Sequence, residues 1–205
     1  GIITNKFHSA RFQIDSPWVY ISDVNRFSTG LYSMVSGVFK NFRKDSSLFA
    51  EAVGISPYSM VLRTVPKKTL SYVFEKESYD QMSRYANSNI LQPQVDGLYS
   101  TDGSLNFDPG NNLLIYVYYY RNEYICMDTD LSLISRGELI DTNSVAKLQV
   151  ANVLSDHSIV LSTPPLMLNK SATFSGAYLF IASQLLADNE KRKAFQDSTI
   201  VDVYG

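Results

Sequence analysis

Cysteine is nearly absent from this chain. Cys126 is the only one, so no internal disulfide can form. Histidine is almost as scarce: His8 and His157 stand far apart and belong to no His/Cys array, which argues against a structural zinc site. An excess of positive charge is missing too. The net charge is −2 and the sequence pI is about 5.7, without the basic stripe of a nucleic-acid binder, so no nucleic-acid partner is expected. No apolar run reaches the roughly 20 residues needed to cross a bilayer, and no basic leader with an apolar core opens the chain. Gly1-Ile2-Ile3 starts without Met and reads as a piece cut from a longer protein, with Gly1 as a protease scar. There is no G-x-S-x-G elbow, P-loop or dinucleotide fingerprint. Neither catalytic residues, nor a metal, nor a cofactor is expected, and the fragment reads as a non-enzyme.

What remains is an ordinary globular balance. The 205 residues are 45% hydrophobic and 19% charged, enough for a core without staples. Cys126, mid-strand among apolar neighbours, reads as a structural thiol rather than a nucleophile. Lys191-Arg192-Lys193 reads as a solvated helix end. Asn169-Lys170-Ser171 is a formal glycosylation sequon of a kind that occurs by chance. Tyrosine is plentiful, with 14 residues.

The richest stretch is Leu113 to Ile134, LLIYVYYYRNEYICMDTDLSLI. It predicts two strands joined by a tight turn at Arg121-Asn122. Alternation puts Leu113, Ile115, Val117 and Tyr119 on one face and Leu114, Tyr116, Tyr118 and Tyr120 on the other. The first face suits a core; the phenol face suits a pocket or an interface. Asp128 and Asp130 follow the second strand. The spacing suits either a helix N-cap or carboxylates for a cation or amine, with the cap the simpler reading.

Elsewhere, residues 16–24 predict a strand. Leu31, Met34, Val35, Val38, Phe39 and Phe42 follow i, i+3, i+4, i+7 spacing and predict a helix capped by Thr29. Residues 46–53 add helical turns, 60–65 a short strand, and 69–88 a second helix. Residues 95–110 read as a strand edge and long loop. A short helix is expected over 131–140, strands over 147–154 and 159–161, and a turn over 155–158. Residues 173–187 fit strand and helix equally, and 188–197 are helix-prone. No internal repeat of solenoid period is visible. The order is α+β: an antiparallel sheet flanked by helices, with a second, smaller lobe as a further option. The corresponding partition is a helical lead-in over 1–15, a main lobe over 16–140 and a smaller α+β lobe over 141–205.

Val19-Tyr20-Ile21-Ser22-Asp23, Gly97 to Gly110, Leu113 to Tyr120 and Tyr124 to Leu131 together resemble the extracytoplasmic PAS-like (Cache or PDC-type) sensor domains of bacterial receptors. Val150 to Asp156 with Ile159 to Ser162 is similar to the start of a second lobe. The resemblance covers about residues 16–163 and fits the remainder poorly. It implies the periplasmic part of an inner-membrane receptor of the two-component kinase or diguanylate cyclase type. A small molecule or periplasmic protein would be its ligand, and a homodimer its assembly. In such domains the sheet faces the ligand cavity, so Tyr116, Tyr118 and Tyr120 would line it. Trp18, Tyr20 and Arg63 would complete the wall, with Arg63 clamping a carboxylate and Asp128 and Asp130 as further candidates. The competing expectation is a non-catalytic structural or protein-interaction domain using the tyrosine-rich face. An enzyme with an unrecognised site ranks last.

Overall fold

The computed structural model describes residues 10–26, 28–42, 48–66, 69–78, 83–153, 158–185 and 200–204. The chain forms two compact units, Gly1–Leu91 with Thr129–Ser132, and Gln92–Asp128 with Leu133–Gly205.

The first unit holds two antiparallel meanders. One runs β1 (Ala10–Asp15), β2 (Trp18–Asp23), β3 (Ser28–Ser33) and β4 (Phe39–Asn41), in that spatial order. The other runs β5 (Phe49–Ser56), β6 (Ser59–Thr64), β7 (Val73–Ser78) and β8 (Ser83–Asn87), again in sequence order. Alternate residues of each strand share a face. Tyr20, Leu31, Phe49, Met60 and Leu62 thereby meet in one cluster, with Trp18, Phe42 and Ala52 against it. Burying each such side chain contributes on the order of 1.5–3 kcal/mol. A side chain also links the two meanders. The Gln13 amide donates to the Gly54 carbonyl at 2.8 Å and accepts from the Gly54 N–H at 2.8 Å, standing in for a peptide group.

The second unit opens with β9 (Gly103–Asp108), β10 (Leu113–Tyr118), β11 (Glu123–Asp128) and β12 (Leu133–Glu138), a third meander. A two-stranded ribbon follows, β13 (Val150–Val153) with β14 (Ser158–Leu161), then a three-stranded sheet, β15 (Asn169–Ser175), β16 (Tyr178–Ser183) and β17 (Ile200–Tyr204). Ile115 and Val117 pack with Leu139, Leu179 and Ile181. Two carboxylates shape the loops. Asp96 accepts from the N–H groups of Leu98, Tyr99 and Ser100 and so sets the 3-10 turn Tyr99–Thr101. Asp108 accepts from the Gly110 N–H and the Asn111 amide, closing the turn into β10.

The α+β expectation is corrected. Among the described residues the only helical segments are the 3-10 turns Val24–Arg26 and Tyr99–Thr101. The helix expected over 31–42 is the β3–β4 hairpin. Its turn is closed by the Gly37 N–H on the Ser33 carbonyl and the Ser33 N–H on the Val38 carbonyl, with Gly37 at φ +69°. Met34, Val35 and Val38, which completed the helical stripe, are exposed on that turn. Thr29, expected as a cap, is a buried strand residue. The helix over 69–88 is β7 and β8, with Leu70 and Tyr85 exposed rather than core-facing. Of the turns expected over 46–53, residues 49–53 are in β5; the helix over 131–140 is replaced by β12, and residues 10–15 of the helical lead-in are β1. Each of these segments pairs with a neighbour along an antiparallel ladder, and that tertiary pairing overrides the local helical spacing. The strands expected near 16–24, 60–65, 113–120, 147–154 and 159–161 are present, and 173–187 resolves toward strand. The helix-prone stretch 188–197, Lys191-Arg192-Lys193, His8 and His157 lie outside the described residues. The meander recurs without a matching repeat of residues.

Candidate functional site

The eight residues singled out from sequence are divided between the two units. Trp18, Tyr20, Arg63 and Asp130 belong to the first, and Tyr116, Tyr118, Tyr120 and Asp128 to the second.

Within the first unit the expected wall is not assembled. Tyr20 is core, and its ring lies so close over Gly54 that a Cβ there would sit 2.0 Å from it. The Tyr20 hydroxyl is buried and makes no hydrogen bond among the described residues. Burial, helped by the Asp15 charge, pushes this phenol up to about 12. Arg63 stands on the opposite face of β6 from Met60 and Leu62, the residues that meet Tyr20. It is buried, with its Nε 4.0 Å from Glu51 Oε2 and its guanidinium 4.2 Å from the centre of the Tyr72 ring. Arg11 reaches the same carboxylate at 3.3 Å. Asp130 is exposed and paired with Lys76 at 2.6 Å. No helix follows it for a cap; β12 does.

Within the second unit Tyr116 and Tyr118 share a face of β10, and that face is filled; Tyr120, expected beside them, lies past the end of the strand in a separate cluster. Tyr116 and Tyr118 are each 0% exposed, with their rings edge-to-face at 5.2 Å. The Tyr116 hydroxyl donates to the Thr101 carbonyl at 2.7 Å. Gly103 makes room for it, since a Cβ there would lie 2.3 Å from the Val117 carbonyl and 2.7 Å from the Tyr116 ring. The Tyr118 hydroxyl accepts the Gln92 N–H at 3.4 Å. Burial raises the Tyr118 phenol, and the Arg121 charge opposes the shift. Tyr120 is buried with Ala146 and Leu148 and is edge-to-face with Tyr119. Asp128 ends β11 opposite Leu113. Cys126 is half-buried, and burial pushes its thiol up, away from thiolate chemistry.

The groups missed in the sequence are those of the hairpin bend. Arg121 is 1% exposed, with its guanidinium 3.6 Å from the centre of the Tyr118 ring. Its Nη1 donates to the Gln92 carbonyl at 2.9 Å. Its Nε lies 2.9 Å from Glu123 Oε2 without hydrogen-bond alignment, while Arg136 holds Glu123 Oε1 at 2.8 Å. Asn122 donates to the Asp141 carbonyl, and Asn169 donates to the carbonyls of Tyr118 at 2.8 Å and Arg121 at 3.1 Å. A signal existed: a turn without Gly or Pro leaves backbone groups that distant side chains must satisfy. Among the described residues no group of three or more His, Cys, Asp or Glu side chains converges as a metal site.

Exposed apolar side chains gather instead on an outer sheet. On β15–β17, Phe180 stands beside Val203 and Thr173, and Ala182 beside Val201. Tyr178 is 53% exposed, Val201 49% and Val203 51%. Tyr178 and Phe180 meet edge-to-face at 6.5 Å. Their neighbours in the same rows are Ser171, Thr173 and Ser175, so the face bears no charge in those rows. The opposite face carries Leu179, Ile181 and Tyr204 into the core.

No family model matches the chain, and no curated protein matches it. Solved structures do. The nidogen/laminin complex aligns at a TM-score of 0.51 and 11% identity, over 89% of this chain and 58% of that one. A catalytically inactive virginiamycin B lyase from Staphylococcus aureus, with quinupristin, aligns at 0.50 and 11% identity, over 98% of this chain and 71% of that one. The fold is β-propeller-like. The successive four-stranded meanders are the unit from which propeller blades are built. This chain spans little more than half the length of the first of these structures. At such identities the likeness concerns fold alone.

The PAS-like, Cache-type resemblance is thereby overturned, and the two-component sensor reading built on it falls with it. A PAS-like domain places helices against one sheet. This chain instead forms small antiparallel sheets in series and carries no α-helix among its described residues.

Proposed function

We propose that this chain is a non-catalytic protein-interaction domain whose contact surface is the outward face of β15–β17. The observation that carries this reading is the half-exposed group Tyr178, Val201 and Val203 around Phe180. Contiguous apolar surface of this kind costs free energy in water and is relieved by a partner. Aromatic anchors in a charge-poor centre are the composition of interface cores. The tyrosine-bearing contact face expected on Leu113 to Tyr120 is thus transferred to β16, because the Tyr116 and Tyr118 rings are enclosed. One of the matched folds is itself a partnership between two proteins, nidogen and laminin.

The test is site-specific photo-crosslinking with the reactive residue at Tyr178, and at exposed Tyr58 as a control. The expected result is a discrete protein adduct from position 178 that Val203→Glu abolishes. Equal labelling from both positions, or an adduct indifferent to Val203→Glu, would overturn the reading.

A further inference from the structure

Strand β1 ends its sheet, with β2 on one side and no described strand on the other. Natural edge strands are guarded by outward charges, proline or bulges. Here the outward row is Phe12, 62% exposed, and Ile14, 72% exposed. The alternate row is occupied otherwise. Gln13 is bonded at both ends of its amide to Gly54, and Arg11 touches Glu51 while its side chain stays largely in water.

The order Arg11-Phe12-Gln13-Ile14-Asp15 is complementary to its own reverse. Laid antiparallel to a second copy about Gln13, Phe12 faces Ile14 of the copy on one side of the ladder. Arg11 faces Asp15 of the copy on the other, and Gln13 faces its counterpart. Each pair occurs twice under a two-fold axis, so an apolar pair and an ion pair are both doubled. A shift of one residue along the ladder would set Phe12 against Gln13 and Arg11 against Ile14, losing both matches.

We propose that β1 is a self-recognition edge: two copies of this chain pair β1 to β1, antiparallel, centred on Gln13. The proposal does not rest on the β15–β17 contact face. The partner is a second copy because the charge order matches itself.

Sedimentation velocity and light scattering across a concentration series test it on the 205-residue chain. The expected result is a monomer–dimer equilibrium. Phe12→Lys or Ile14→Lys shifts the chain to monomer; both replace exposed residues, so circular dichroism stays unchanged and melting matches the parent chain at concentrations where the parent is itself monomeric. Arg11→Asp and Asp15→Arg each set like charges opposite one another twice and weaken the dimer by about tenfold or more. The double variant restores the match with signs reversed and recovers dimerisation. Asp15→Arg leaves the Arg11–Glu51 contact intact, so its effect is separable from local destabilisation. A chain that stays monomeric at every concentration overturns the proposal. So does a dimer indifferent to Phe12→Lys and Ile14→Lys, or a double variant no tighter than its singles.

Discussion

Each compact unit buries an arginine against a tyrosine ring, and the two are held differently. Arg63 sits inside a ladder, opposite Glu51, with a long 4.0 Å ion contact and a ring 4.2 Å away. Arg121 sits in a bend between strands, 3.6 Å from its ring, donating to a loop carbonyl and lying 2.9 Å from a carboxylate. A guanidinium in a ladder is one row among several. A guanidinium in a bend joins segments that no ladder joins, here the loop at Gln92 and the hairpin of β10 and β11. Buried ion pairs contribute little against an apolar substitute, but removing one partner is costly. The cost therefore depends on what else holds the remaining partner.

The largest expected effect follows from this. Arg121→Ala orphans the Gln92 carbonyl and leaves Glu123 with Arg136 alone, and should destabilise the chain by about 3–5 kcal/mol in urea unfolding. Arg63→Ala leaves Glu51 in contact with Arg11 and should cost less, about 2 kcal/mol. Equal losses would show that position in ladder or bend is irrelevant.

Two glycines sharpen the contrast at the next scale. Gly103→Ala drives a methyl into both the Val117 carbonyl and the Tyr116 ring, while Gly54→Ala meets the Tyr20 ring. Both should cost about 1–3 kcal/mol, with Gly103→Ala the greater because backbone yields less than a ring. Thermal melts of the two variants decide the order.

Two phenols should differ in sign. Tyr116→Phe strands the Thr101 carbonyl and should lose about 1 kcal/mol. Tyr20→Phe removes a buried hydroxyl that makes no hydrogen bond among the described residues, so it should be neutral or stabilising by up to about 1 kcal/mol. A clear loss at Tyr20→Phe would reveal a partner for that oxygen.

A further effect is confined to alkaline solution. The Tyr20 phenol is pushed from 10.0 up to about 12 on folding. Below pH 10 both states keep the proton, and the stability associated with the neutral phenol is fully present. Between these values the unfolded chain releases its proton while the folded chain keeps it, so stability falls as pH rises. Tyr20→Phe should flatten that part of the stability curve, and an unchanged slope would assign the loss to other buried phenols.

Strand alternation was legible wherever one segment carried one face, as in Leu113 to Tyr118 and Trp18 to Asp23. It failed where a hairpin turn fell inside the window. Leu31, Met34, Val35, Val38 and Phe39 keep helical spacing only because a turn of solvent-facing residues separates two short strands. The phenol face was assigned to the correct strand but not to its surroundings. What fills it, Thr101, Gly103 and Gln92, comes from residues whose proximity no local pattern encodes. The tight turn at Arg121 and Asn122 was legible, but its burial was not, because its partners, Asn169 above all, lie far along the chain.

Asn169 also decides a question of processing. Its side-chain nitrogen is the atom to which an oligosaccharide would be attached in Asn169-Lys170-Ser171, and in the folded chain that nitrogen is committed to two main-chain oxygens. A sugar on that nitrogen would replace one of the two N–H groups that donate to those oxygens, so attachment there competes with closure of this bend.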